Sequence, residues 1–169
     1  VTDSGNLFGA MEFALIAKGS GIQPIIGCQM AIARRHGEKC GGVSIAPNLP
    51  PDQLVLLVKN EIGYGNLLKL VSRSFLESDA HAEPQVSMAE LEIFNEGLIA
   101  LTGGPEGAVG RHLLEDRETE AEETMAQLAA IYPGCLYVEI MRHGMEKETR
   151  SESAFIDLAY RLDLALVAT

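Results

Sequence analysis

The 169-residue chain lacks the long apolar runs that a bilayer demands: no stretch approaches the ~18–20 residues of a membrane-spanning helix. That absence predicts a protein of the aqueous phase, and a cytoplasmic location is the expectation. Cysteine is scarce. Cys28, Cys40 and Cys135 are odd in number, far apart and without a CxxC pair, which suits a reducing compartment better than a disulfide framework. Basic residues are also few, 13 Lys and Arg against 24 Asp and Glu, for a net charge of −11. Binding to a phosphate backbone rests on Lys and Arg, so direct DNA contact by this chain is not expected, and protein partners suit the acidic surface better. There is no P-loop, no GxGxxG, no internal repeat and no low-complexity tract.

What is present is a core-rich chain of one domain, residues 1–169, with 47% hydrophobic residues. Strand-like and helix-like segments alternate, which argues for an α/β sheet or barrel rather than a bundle. Helical spacing covers Asn6 to Lys18, with Asp3, Ser4 and Asn6 as candidate caps and Gly19 and Gly21 as the stop. An apolar strand follows over residues 24–33. Residues 34–52, rich in Gly and Pro, read as a long loop, and a second strand covers residues 54–58. No helix fits between these two strands, so they should be sheet neighbours, and antiparallel pairing suits them. Further helices are expected at residues 61–76, 88–94, 108–114, 118–131 and within 145–162, with strands at 98–102, 136–141 and 164–168. No Met begins the chain, its first residues read as a strand end, and LALVAT stops inside an apolar strand. The expectation is an excerpt of a longer polypeptide, with a strand or more missing on either side.

Residues at strand ends are where α/β folds place their chemistry. Asp3 and Ser4 admit two readings, a metal ligand with its neighbour or a helix cap, and the cap is the commoner use of such residues. Gly103-Gly104 reads as a phosphate nest or a plain turn, the turn being favoured without a following Lys-Ser/Thr. His36 and Cys40 could form half of a zinc site, but a structural zinc takes four ligands. Glu139 is a candidate general base beside His143, with cross-strand pairing or a capped turn as the alternative role of both. The acidic run Glu118, Glu120, Glu122, Glu123 reads as the solvated start of a helix, where carboxylates meet the positive end of the dipole.

Five segments carry a resemblance: TDSGNLFGAMEF, GIQPIIGCQM, LLVKNEIGYGNLLKLVSRSFLE, EGLIALTGG and LYVEIMRHG. In order and spacing they resemble the N-terminal PHP (polymerase and histidinol phosphatase) domain of bacterial DNA polymerase III alpha subunits, with KNEIGYGNLLKLVS the most specific. The resemblance implies a distorted (β/α) barrel, incomplete at both ends, with a polynuclear metal cleft at one mouth. It places a His-x-His strand before Val1 and an Asp-x-His segment after Thr169. Metal-competent members carry His where Ser4 stands, Glu at Gln29, His at Gln53 and Cys at Gly104. Glycine offers no side chain, serine is a weak neutral ligand, and a glutamine amide lacks the carboxylate charge. The implied site is therefore degenerate, with no catalytic residue, no metal and no cofactor in this fragment. The resemblance further implies a parent nucleotidyltransferase, a DNA-directed polymerase in replication whose Mg²⁺-dependent active site lies outside this chain. An error-prone paralogue has a similar domain. The fragment's implied role is a scaffold that docks the proofreading exonuclease subunit. The alternative is a metal-dependent phosphoesterase, a proofreading nuclease or pyrophosphatase using the cleft; a free-standing hydrolase is disfavoured by KNEIGYGNLLKLVS.

Overall fold

A computed structural model describes residues 1–34, 50–77 and 83–169. Among these residues the elements run β1 (Thr2–Ser4), α1 (Ala10–Gly19), β2 (Gly27–Ile32), β3 (Asp52–Val58), α2 (Glu61–Leu76), α3 (Met88–Ile93), β4 (Leu98–Leu101), a 3₁₀ turn (Gly104–Glu106), α4 (Ala108–Leu114), α5 (Glu118–Ile131), β5 (Leu136–Ile140), α6 (Glu146–Arg161) and β6 (Ala165–Ala168). The six strands form one sheet in chain order, β1 to β6. β3 alone runs against its neighbours; β1 with β2, β4 with β5 and β5 with β6 are parallel. The helix-free connection between β2 and β3 is what permits that reversal, as the sequence predicts, because a parallel return would need a crossover. β1 and β6 are the two edges, so among the described residues the sheet is open.

The strands have two unlike faces. Cys28, Met30, Leu54, Leu56, Leu98, Ala100, Leu136 and Val138 alternate along four strands onto one face, where all are buried. They join one core cluster with Leu67 and Leu70 of α2, Leu91 of α3, Val109 of α4, Met125 and Leu128 of α5, and Phe155 and Leu158 of α6. Burying each of the Leu, Met, Val and Phe side chains among them contributes about 1.5–3 kcal/mol, so this layer holds the fold. The opposite face carries Ser4, Gln29, Gln53 and Val55 in register, and it is the mixed polar face.

The segment KNEIGYGNLLKLVS builds the joint between β3, α2 and β4. Asn60 caps α2, its Oδ1 accepting from Gly63 N at 3.0 Å. Asn66 Nδ2 donates to Glu96 O at 2.9 Å, and Lys59 N donates to Gly97 O at 2.9 Å. Gly63 packs on the Gly97 carbonyl so closely that a Cβ there would overlap it. The segment that carries the most specific resemblance is thus a packing device at the end of β3 away from Gln53.

Helix α1 starts at Ala10, four residues later than its periodicity predicts. Asn6 Oδ1 accepts from Phe8 N at 3.1 Å and Asn6 Nδ2 donates to Ser4 O at 2.9 Å, so residues 4–8 form a turn instead of a first helical turn.

Candidate functional site

Because β3 is reversed, the C-terminal end of β1, the middle of β2 and the N-terminal end of β3 come to one side of the sheet. Ser4 lies opposite Gln29, and Ala31, two residues further on, lies opposite Gln53. Side chains two apart on a strand share a face, so Ser4, Gln29 and Gln53 converge. They line a cleft of about 560 Å³ with Ala31, Phe75 and Glu106 among its walls. The Ser4 hydroxyl donates to Gln29 Oε1 at 3.5 Å. Glu106, at the rim, is held by Lys147 Nζ at 2.9 Å.

The fourth position, Gly104, begins the 3₁₀ turn after β4 and does not line this cleft. Its φ of +53° favours glycine, and a Cβ built there would lie 2.9 Å from Met141 Sδ. The Met141 thioether thus packs where a side chain at residue 104 would project. Gly103, with φ +76°, is pressed against the Gln53 carbonyl. The two glycines make a turn that lets the start of β3 and the end of β4 lie in close contact, which is the plainer of the two readings the sequence allows.

The donor set does not fit the metal cluster that the resemblance implies. Ser4, Gln29 and Gln53 are neutral, and a divalent ion leaving water needs charged or imidazole ligands to replace its hydration. Among the described residues, no group of three or more His, Cys, Asp and Glu side chains is placed to hold a metal ion. Ser4 has no base beside it among the described residues of this cleft: its hydroxyl meets an amide oxygen, which cannot take up its proton under ordinary conditions.

Asp3 and Ser4 divide the roles the sequence left joined. Asp3 Oδ2 accepts from Gly9 N at 3.0 Å, at the residue preceding α1, whereas Ser4 turns to Gln29 and caps nothing. Glu139 and His143 are not brought together. The Glu139 carboxylate is buried on β5 and accepts from Thr169 Oγ1 at 2.8 Å, while its N–H donates to Thr102 Oγ1 at 3.0 Å. His143 and its turn belong to Glu148, a buried carboxylate. Glu148 Oε1 lies 2.8 Å from His143 Nδ1, and Oε2 accepts from His143 N at 2.8 Å and Met145 N at 3.1 Å. Burial alone would raise the Glu148 pKa, but the bonds from His143 and Met145 outweigh it and hold the carboxyl below the ordinary glutamate value. Glu118 and Glu120 sit in the first turn of α5, and Glu122 pairs with Arg161 of α6 at 3.0 Å. His36 and Cys40 lie outside the described residues. Cys28 is fully buried, and burial pushes its thiol up to about 11, so it is an inert core residue.

One constellation escaped the sequence reading. Asp52, almost wholly buried at the start of β3, accepts from Arg34 Nε at 3.1 Å and from Arg111 Nε and Nη2 at 2.8 and 3.1 Å. The bidentate bond ties α4 to β3 one residue from Gln53 and stiffens that wall of the cleft. Partners 18 and 59 residues away leave no local signal in the sequence.

The sequence comparisons agree with this architecture. The model of the PHP domain family matches residues 1–143. DNA polymerase III subunit alpha of Caulobacter vibrioides is 37% identical over 169 residues, all of this chain but 14% of that protein. The same-named proteins of Borreliella burgdorferi and Pseudomonas aeruginosa are 33% and 34% identical, over 99% and 100% of this chain and 14% of theirs. The chain therefore spans about one seventh of the curated relatives it matches. With β1 to β5, the KNEIGYG joint and the cleft all falling within that match, this chain belongs to the PHP domain family.

Proposed function

We propose that this chain is the PHP region of a DNA polymerase III alpha subunit, in which the domain serves as a structural scaffold and a docking site for the proofreading exonuclease subunit. The observation that carries this reading is the cleft itself: Ser4, Gln29 and Gln53 line it with neutral groups, and Gly104 offers no side chain. A cleft of that composition keeps the shape of a catalytic mouth without ligands for a trinuclear site. The parent polypeptide performs template-directed nucleotide addition with Mg²⁺ held by carboxylates elsewhere in its length. This domain contributes architecture, through a core of interlocked sheet and helices, and an acidic surface suited to protein rather than DNA.

Calorimetric titration of a bacterial proofreading exonuclease subunit into the purified chain tests the docking role. Saturable heat is expected; its absence, with folding verified by circular dichroism, removes exonuclease docking from the reading.

A rival reading draws on the openness of the cleft and on Glu83 and Glu106 at its margin. It makes the domain a metal-dependent phosphoesterase and requires stoichiometric zinc or manganese. Glu106 is already paired with Lys147, which counts against its use as a ligand.

A further inference from the structure

Residue 104 differs from the other three positions of the implied site in how its chemistry is missing. Ser4, Gln29 and Gln53 still line the cleft, whereas the place of a side chain at Gly104 is already taken. A Cβ built on Gly104 would lie 2.9 Å from Met141 Sδ, 3.1 Å from its Cε and 3.4 Å from its Cγ. The close contacts thus run along the outer half of the methionine and are not confined to its tip. At packing densities like those of organic crystals, two side chains do not share such a space.

Neither backbone has room to withdraw. The Gly104 carbonyl packs on Gly110 of α4, and Gly103 packs on the Gln53 carbonyl, each so closely that a Cβ on Gly110 or Gly103 would overlap its neighbour. Gly107 N closes the turn by donating to the Gly103 and Gly104 carbonyls at 3.1 and 3.2 Å. On the other side Met141 follows directly on β5, and the residues after it are tied to α6. Arg142 Nε and Nη2 donate to the Glu152 carboxylate at 3.1 and 2.7 Å, and Glu148 holds the N–H groups of His143 and Met145. Two pinned backbones therefore present Met141 to Gly104, and only a rotation of the methionine itself would clear the space.

Met141 is not a replacement ligand. Zinc takes thiolate, imidazole or carboxylate donors and manganese takes oxygen, and a neutral thioether is none of these. Its use here is volume: methionine is unbranched and fills irregular gaps, and glycine opposite it leaves the gap to fill. We infer that Met141 plugs the fourth ligand position, so that a metal is shut out of that corner by packing as well as by the want of a donor. Returning donors at residues 4, 29 and 53 leaves the corner closed. A thiol returned at residue 104 meets the methionine, and the two fit together only when residue 141 is cut back. The inference rests on the reading of the cleft proposed above.

A double-mutant cycle tests it: Gly104→Cys, Met141→Ala and the pair, compared by urea unfolding of the chain under reducing conditions and followed by circular dichroism. The left-handed φ of residue 104 penalises any side chain in both backgrounds, so that strain cancels in the cycle. Coupling is expected: Gly104→Cys should lower the folded-to-unfolded ratio at least about fivefold more beside Met141 than beside Met141→Ala. Gly104→Ala, run through the same cycle, should couple in the same direction. If Gly104→Cys alone does not fold, its rescue by Met141→Ala supports the plug and failure to rescue overturns it. Additive losses, in a chain that holds no metal, overturn this inference and leave the scaffold reading standing. Stoichiometric zinc or manganese in the unaltered polypeptide overturns both.

Discussion

Single residues here do structural work at positions where the sequence suggests chemistry. His143 is the clearest case: its turn is closed through three bonds by Glu148, a buried carboxylate, and not by Glu139. The Glu148 pKa lies below the ordinary value in the folded protein, so the folded state binds its proton less readily than the unfolded chain does. The stability it contributes is complete above the unfolded value of about 4.3 and is lost as pH falls through the folded value. Denaturant melts at a series of pH values should therefore show the wild type losing stability below about pH 4.3. Glu148→Gln should be less stable at neutral pH, because one amide oxygen cannot replace two carboxylate oxygens, and its acid limb should be flatter. An unchanged acid limb would assign the loss to other carboxylates. Neither Glu148 nor the Asp52 cluster was legible in the sequence, and the reason is physical. A carboxylate's partner is set by the fold, and the arginines on Asp52 come from the end of β2 and from α4. Asp3 was half legible: capping depends on neighbours in sequence, but whether Asp3 or Ser4 takes the bond depends on which side chain the strand turns toward α1.

At the scale of elements, three helices were legible to the residue. Those over 61–76, 108–114 and 118–131 have the bounds that the spacing predicts. Strand ends moved by one to three residues because pairing, not composition, decides where a ladder begins; β2 starts at Gly27, where Thr2 meets it. β3 starts two residues early, at Asp52, because Ile32 of β2 pairs there. α1 misled more deeply: its periodicity is real, but its large residues face solvent and its small ones face the molecule. The element with least slack is the joint between α2 and the turn before β4. Gly63→Ala would drive a methyl into the Gly97 carbonyl, and neither backbone can yield without breaking the bonds of Asn60 and Asn66. The expected cost is about 2–3 kcal/mol, read as a lower urea midpoint. Gly65→Ala, two residues along the same helix with open space at its Cβ position, should be neutral or slightly stabilising. Equal losses for both would mean that helix propensity, not the close approach, governs this site.

For the molecule as a whole, the α/β class was legible in the alternation of strand-like and helix-like segments, and the family in a resemblance that the PHP domain model bears out over residues 1–143. The gathering of Ser4, Gln29 and Gln53 in one cleft follows from the reversal of β3, which the missing helix between β2 and β3 foreshadows. The displacement of Gly104 from that cleft, with Met141 packed over it, was not foreseeable from spacing. Among the described residues no helix is long and apolar enough to cross a membrane.

The central claim is that this PHP domain has kept its cleft and lost its metal chemistry. Its most direct test is elemental analysis for zinc and manganese in the full-length polypeptide that carries the domain, purified without chelator. The account predicts no stoichiometric zinc or manganese. Stoichiometric metal that Gln29→Ala and Gln53→Ala displace would contradict it and would restore the phosphoesterase reading.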